Sequence, residues 1–487
     1  MNSVEVTMLK NANFIAGRPV PAASGGTLPV HDPASGDCYA QIADSDAEDI
    51  DLAVAAARRA LEHGPWGLMS AMDRGRILSR FSQHIEARSA ELAAIEAKDT
   101  GKPLSTAVAD IAALARYFEF FGGAADKMHG EIIPYTPDHL VLLSREPMGV
   151  TGHILPWNYP AQMFGRSLAP ALAMGNTTVL KPAEEACASI LRLAEIASEA
   201  GLPEGALNIV TGRGATAGAA LAAHPGVDFI SFTGSPPVGQ IIQKLAADHF
   251  IGCSLELGGK SPQLVFEDAN LDAALPIILR AIIQNGGQTC SAGSRLLVQR
   301  SICATVSERL VPAFNAVRVG LSDQDLDCGP MITRAQQLRV LGFIDRARRD
   351  GIPLLAEGRI DPKVPDSGYF VTPALFGPVP RDHELAREEV FGPVLSLIPF
   401  DDEADAISLA NATEYGLVAG VWTRDGARQI RVSKALRAGQ VFVNCYGAGA
   451  GVELPFGGSG KSGHGREKGL VSLLEFSKTK TTVIHHG

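Results

Sequence analysis

Residues 207–258, LNIVTGRGATAGAALAAHPGVDFISFTGSPPVGQIIQKLAADHFIGCSLELG, decide the fold. Short apolar runs at Leu207 to Val210, Phe229 to Phe232 and Ser254 to Leu257 read as strands, and residues 214–223 and 237–247 between them carry helical spacing. Just upstream, Val150 to Leu155 and Thr177 to Leu180 read as two more strands, followed by a helix over 184–200. Strands alternating with helices predict a parallel sheet with crossover helices on its faces, a Rossmann-like α/β architecture that binds dinucleotides at the carboxyl ends of its strands. Two turns in this stretch suit a phosphate. Gly212-Arg213-Gly214 with Gly218 has GxGxxxG spacing, which serves equally as a tight strand-to-helix turn, and Gly234 to Gly239 offers backbone N–H groups and the Ser235 hydroxyl at a helix start.

Outward from this stretch, the alternation restarts at Gln263 to Phe266, continues through a helix capped near Asn270, and includes a late strand at Gln440 to Asn444, so a second α/β domain is expected. Towards the start, residues 47–63, 73–99 and about 104–128 carry apolar residues at helical spacing, the second run stopping at Thr100-Gly101-Lys102-Pro103. Residues 131–147 read as a hairpin turning at Thr136-Pro137-Asp138, and Thr479 to His485 reads as a strand that must pair with it or with a neighbouring subunit. The expected division is a dinucleotide-binding domain of residues 1–129 and 148–258, a catalytic domain of 259–474, and a β-strand oligomerisation element of 130–147 and 475–487.

The chain of 487 residues exceeds what one core organises, and 46% hydrophobic with 20% charged residues is the balance of a globular enzyme. A net charge of -10 without any Lys/Arg run argues against nucleic-acid partners. No apolar stretch reaches the eighteen or so residues that span a bilayer, and Met1 to Gly17 lacks a basic-then-apolar leader, so a cytoplasmic location is expected. The seven cysteines are widely spaced and form no CxxC pair, which points away from a disulfide framework or a metal site.

Seven segments then appear in one order: Pro156-Trp157-Asn158-Tyr159-Pro160, Lys181-Pro182-Ala183-Glu184, Phe232-Thr233-Gly234-Ser235, Glu256-Leu257-Gly258-Gly259-Lys260, Gly287-Gln288-Thr289-Cys290, Glu389-Val390-Phe391-Gly392-Pro393 and Pro455-Phe456-Gly457-Gly458. Together they closely resemble the successive signatures of the aldehyde dehydrogenase superfamily, and the resemblance spans nearly the whole chain.

That resemblance implies a nucleophilic thiol at Cys290, because sulfur attacks a carbonyl readily and leaves again from a thioester. It also implies an oxyanion site from the Asn158 amide and the Cys290 backbone N–H, and a general base at Glu256 that activates water. Relatives that pass the acyl group to coenzyme A generally lack that Glu. For the cofactor it implies Lys181 and Glu184 at the adenosine ribose, where the carboxylate favours NAD over NADP by repelling a 2′-phosphate. Ser235 is implied at the pyrophosphate, with Pro156, Trp157, Gly214, Gly239, Leu257 and Gly258 also on the cofactor side, and Glu389 and Phe391 at the nicotinamide end. The helix after Ser235 starts with Pro236 and Pro237, which a first helical turn tolerates.

On the substrate side stand Arg166, Tyr159 and Met163. Arg166 matches a tunnel position that is Arg in succinate-semialdehyde dehydrogenases, so a carboxylated aldehyde is expected to meet it. Ser167 replaces a Lys implicated in proton relay in many relatives, while Glu467 retains a second acidic group. The small residues Gly447 to Gly451 match a segment at the tunnel entrance and leave room for a bulkier ring. The expected reaction is oxidation of an aldehyde to its acid with NAD through a Cys290 thioester, on an anionic semialdehyde such as succinate semialdehyde or on a broad or aromatic range. The other readings are a coenzyme A-acylating dehydrogenase and a non-catalytic binding protein. A homodimer or homotetramer is implied.

Overall fold

The computed structural model describes residues 11–447 and 451–487. Five parallel strands form the centre of an eight-stranded sheet, in the spatial order Leu207–Ile209, Thr177–Lys181, Val150–Ile154, Phe229–Thr233, Gly252–Glu256. Numbered along the chain that order is 3-2-1-4-5, whose reversal between Val150–Ile154 and Phe229–Thr233 opens a crevice at the carboxyl ends of those two strands. The strands beginning at 150, 177 and 229 are buried on both faces, which explains their near-continuous apolar and β-branched runs. Helices Pro160–Ala173, Ala188–Glu199 and Pro236–Asp248 make crossovers, the last starting at Pro236 as the sequence allows. Between Leu207–Ile209 and Phe229–Thr233 the expected helix is instead a wide turn, Gly214–Gly218, and a single helical turn, Ala219–Ala222.

Both edges of this sheet come from distant sequence. Asn13–Ile15 and Arg18–Val20 add antiparallel strands on one side, and Gly463–His464 pairs antiparallel with Leu255 and Glu256 on the other. The start of the chain is therefore not helical throughout, since Thr27–His31 and Cys38–Ala43 also form a hairpin before the helices begin. The run expected as one helix over 73–99 is broken at Arg88, which closes Ala71–Ala87 and opens Ser89–Thr100. Leu104–Ala124 completes this helical layer over one face of the sheet.

A seven-stranded sheet contains Pro262–Val265 and Arg295–Gln299 at its centre and runs parallel except for one edge pair. Its two faces carry separate apolar cores. The third sheet is antiparallel: His139–Pro147 lies between Glu131–Ile133 and Ser477–His485, so the last strand pairs with the hairpin of its own chain. Ile132, Tyr135, Val483 and Ile484 stay exposed on or beside it.

Candidate active site

The crevice at the strand reversal opens into a cleft of about 930 Å³. Its walls are the ends of the central strands: Val150–Ile154 runs on into Pro156, Trp157 and Asn158, Phe229–Thr233 into Gly234 and Ser235, and Gly252–Glu256 ends on Glu256 itself, followed by Leu257 and Gly258. The second α/β unit supplies the facing wall with Cys290, Glu389 and Phe391. Met163, on the helix that follows Asn158, also lines the cleft.

The Cys290 loop takes its shape from three consecutive left-handed residues, Asn285, Gly286 and Gly287. A side chain at Gly287 would put Cβ 2.2 Å from the Gly392 carbonyl carbon, so only glycine lets the Cys290 loop touch the Glu389–Phe391 loop so closely. Phe391 itself holds φ +56°, a conformation rare for an aromatic residue, and its ring meets Trp157 edge to face at 5.4 Å. The loop carbonyls are held too: Gln336 donates to Phe391 O at 2.7 Å and Arg339 to Glu389 O at 2.7 Å.

Asn158 is anchored through its backbone, its carbonyl accepting from Lys102 Nζ at 3.1 Å and Asn285 Nδ2 at 2.9 Å. Its side-chain amide donates to Gln288 O at 2.9 Å, and Oδ1 is buried without a partner. One amide hydrogen is thus used to orient the group and one remains for the cleft. Lys102 was legible only as part of a helix stop; it is fully buried and packs over the Tyr159 ring at 4.6 Å. Tyr159 shares a 2.8 Å hydrogen bond with Thr289 through its hydroxyl and is partly exposed.

Burial dominates the electrostatics. It pushes the Cys290 thiol up to about 12, against the opposing pull of Arg166, with Glu389 and Glu256 adding to the rise. Burial likewise holds the Glu256 carboxyl well above the usual range and lifts Glu389 to about 7. Both Glu256 oxygens lack hydrogen-bond partners, whereas Glu389 accepts from the Gly259 N–H at 2.8 Å. A Cβ at Gly258 would fall 2.2 Å from Glu389 Oε2, and one at Gly234 would fall 2.5 Å from Phe232 Cζ. Glycine at these two points lets the Glu389 carboxylate and the Phe232 ring lie directly against bare backbone.

Other expected residues lie elsewhere. Lys181 and Glu184 pair at 2.7 Å, and Gly214 N donates to Glu184 at 3.3 Å, in a cluster outside the cleft walls. Although burial raises it, the Lys181 ammonium brings the Glu184 carboxyl below its ordinary value. Gly239 lies under the cleft, its Cα facing the Leu257 side chain. Ser167 is buried between His153 Nδ1 at 2.7 Å and Ser231 Oγ at 3.0 Å. Arg166 does not present a free cation to a substrate carboxylate: it is buried, stacked on Phe456 at 4.1 Å, ion-paired with Glu467, and 3.5 Å from Glu256 Oε2. Ala448, Gly449 and Ala450 of the small-residue loop lie outside the described residues.

Cleft, strand reversal and partly buried thiol define an α/β enzyme with a cysteine in the wall of a dinucleotide-type crevice. The chain belongs to the aldehyde dehydrogenase family, whose model matches residues 20–482. It is 43% identical to aldehyde dehydrogenase family 2 member C4 of Arabidopsis thaliana over 475 residues, covering 97% of this chain and 94% of that protein. It is 42% identical to a mitochondrial benzaldehyde dehydrogenase of Antirrhinum majus, covering 96% and 88%. A crystal structure from Burkholderia cenocepacia assigned as an aldehyde dehydrogenase superposes with a TM-score of 0.97 at 60% identity, covering 98% of this chain and all of that one. The NAD+ complex of the Bacillus cereus aldehyde dehydrogenase superposes at 0.95 with 39% identity, covering 98% and 96%.

Proposed function

We propose that this enzyme oxidises an aldehyde to its carboxylic acid through a thioester on Cys290 that water hydrolyses. The enzyme is an NAD-dependent aldehyde dehydrogenase, a dependence supported by the 3-2-1-4-5 sheet, the cleft at its strand reversal and the NAD+ complexes of similar proteins. Ser235, Leu257, Gly258, Glu389 and Phe391 hold the cofactor along the cleft, and Lys181, Glu184 and Gly214 receive its adenosine ribose. When bound, NAD supplies the hydride acceptor that turns the adduct into a thioester.

The observation that carries the reading is the convergence of Cys290, Asn158 and Glu256 on one cleft from three separate elements. The Cys290 thiol gives its proton to solvent as Sγ adds to the aldehyde carbon, and the oxyanion meets the free Asn158 amide hydrogen and the Cys290 N–H. In deacylation Glu256 takes a proton from water as its oxygen adds to the acyl carbon; the C–S bond breaks and the thiolate is regenerated. Coenzyme A is not needed, because Glu256 supplies the base that water requires.

The substrate reading that the geometry favours is a neutral aldehyde, broad or aromatic in range, since the Arg166 charge is already met by Glu467 and Glu256. A carboxylated aldehyde such as succinate semialdehyde is the second reading, which requires Arg166 to leave Glu467. Assembly as a homodimer or homotetramer is supported by the exposed apolar residues of the three-stranded sheet. Placement in the cytoplasm fits seven free cysteines. Among the described residues, no helix is long and apolar enough to cross a membrane.

The test is NADH formation over a panel of neutral, aromatic and carboxylated aldehydes without coenzyme A. Full turnover to the acid is expected in wild type and none in Cys290→Ala. Unchanged turnover in Cys290→Ala, or a burst that stalls until coenzyme A is added, would overturn it.

A further inference from the structure

Resting on the reading of Glu256 as the deacylation base, we propose that Arg166 is a positioning residue, a fixed cation that orients the Glu256 carboxylate for hydrolysis and is itself anchored by Glu467. Three ionisable side chains from three elements meet here in almost complete burial: Arg166 from Pro160–Ala173, Glu256 from the end of Gly252–Glu256, and Glu467 from the segment after the edge strand Gly463–His464. Pairing of that edge strand with Leu255 and Glu256 is what brings Glu467 alongside the base. Arg166 is ion-paired with Glu467, stands 3.5 Å from Glu256 Oε2, and stacks at 4.1 Å on Phe456. Phe456 in turn belongs to the apolar cluster against which Cys290 packs. The guanidinium is therefore held by a ring and a carboxylate within reach of the base.

Two buried carboxylates with no cation between them would repel each other, and the protein would protonate one. Arg166 opposes this, pulling the Glu256 carboxyl down against the burial that raises it, and it cannot pass a proton on, because a guanidinium stays charged at every working pH. The neighbouring Ser167 is no substitute for a relay, since its hydroxyl is used by His153 and Ser231. The other charged or titratable groups facing this cluster are Tyr117, Cys290, Arg466, Lys468 and Glu475. Arg166, 3.5 Å from Glu256 Oε2, lowers the carboxyl more than Arg466 does, so removing Arg166 withdraws the larger cationic influence from the base.

The experiment measures the pre-steady-state NADH burst and the pH profile of steady-state kcat with a neutral aldehyde. Arg166→Gln is expected to keep the burst while lowering kcat on the order of 100-fold, the cost of a misplaced base. Its acidic limb moves to higher pH, because Glu256 without the cation holds its proton longer. Arg166→Lys restores part of the rate and most of the limb position. Should Arg166→Gln fail to fold with two unpaired carboxylates, Arg166→Gln/Glu467→Gln removes the cation and one anion together and is expected to show the same slow deacylation. An unmoved limb with unchanged kcat overturns the proposal. A loss confined to KM for carboxylated aldehydes also overturns it and returns Arg166 to substrate binding. Glu256→Gln separates the two readings: if it turns over normally, the base assignment itself fails, and if it alone stalls after the burst, only the role of Arg166 fails.

Discussion

Two buried charge clusters flank the cleft and are built on opposite principles. In the first, Lys102 Nζ bonds Asp110 at 2.6 Å, Glu96 at 3.5 Å and the Asn158 carbonyl at 3.1 Å. Its two carboxylates are satisfied in turn, Glu96 by Ala161 N–H and the Ser189 hydroxyl and Asp110 by the Gln162 amide. In the second, Arg166, Glu256 and Glu467 are equally buried, yet both Glu256 oxygens and one Glu467 oxygen lack hydrogen bonds. A buried charge with all its partners holds a loop in place. A buried charge left partly unpaired is costly, and such cost persists where a group must meet a substrate or water.

The contrast is broken most directly at Glu256. Glu256→Gln is expected to lower kcat by about 10²- to 10⁴-fold, the contribution typical of a positioned base, while the fold loses less than about 1 kcal/mol because no hydrogen bond is removed and Arg166 keeps its pairing with Glu467. Stopped-flow NADH bursts and denaturant unfolding of the same variant read both quantities. A large loss of stability with modest loss of kcat would assign Glu256 to the scaffold instead.

Lys102→Met tests the other cluster and should invert the pattern. Removing the cation strands two carboxylates in a dry interior, and breaking a buried pair of this kind costs about 3–5 kcal/mol. The first unfolding transition in urea should shift accordingly. Any fall in kcat should follow from a loosened Asn158 and should appear in the acylation burst, which Glu256→Gln spares.

How much of this was legible in the sequence depends on whether the signal was local. The alternating runs from Val150 to Leu257 are periodic within each element, so the parallel sheet could be read directly, as could the hairpin, whereas the last strand could pair with that hairpin or with a neighbouring subunit until the fold joined it to the hairpin. Asn13–Ile15 and Arg18–Val20 have three residues each and Gly463–His464 only two, too few to carry a period, while the alternation of Thr27–His31 is interrupted by a proline. Cys290, Asn158 and Glu256 stood out because they lie inside recognisable segments, and all three line the cleft. Lys102 sat in a helix-stop tetrapeptide whose Gly and Pro masked a buried ammonium. Arg166 was read as a substrate cation because nothing within ten residues of it reveals that Glu467, three hundred residues away in sequence, occupies it. Long-range charge pairing leaves no periodic trace in a single sequence.

His153 extends the comparison to a third buried ionisable group, one kept neutral. Burial lowers its imidazole to about 3 from the ordinary 6.5, and both ring nitrogens are engaged, by Ser167 at 2.7 Å and Thr151 at 2.8 Å. Above pH 6.5 the imidazole is neutral folded and unfolded, so its stability contribution is fully present. As pH falls from 6.5 towards 3 only the unfolded chain takes up the proton, and that stability is lost. Between pH 7 and 5 the expected loss is about 2 kcal/mol, measurable by denaturant titration at the two pH values and absent in His153→Gln. An equal loss in the variant would place the pH dependence elsewhere.

The smallest effect is expected at the Lys181–Glu184 pair, where the ammonium is buried but the carboxylate is about one-third exposed. Solvent screens this pair more than either buried cluster, so Glu184→Gln should leave folding nearly unchanged. What it changes is the sign of the local field where a 2′-phosphate would sit: the carboxylate that repels it is gone and Lys181 remains. Selectivity for NAD over NADP, taken as the ratio of kcat/KM values, should fall about tenfold, or roughly 1.4 kcal/mol. An unchanged ratio would mean that the ribose is held by groups other than Glu184. The exposed pair would then be a packing contact of the Gly214 turn, where Gly214 N already donates to the same carboxylate.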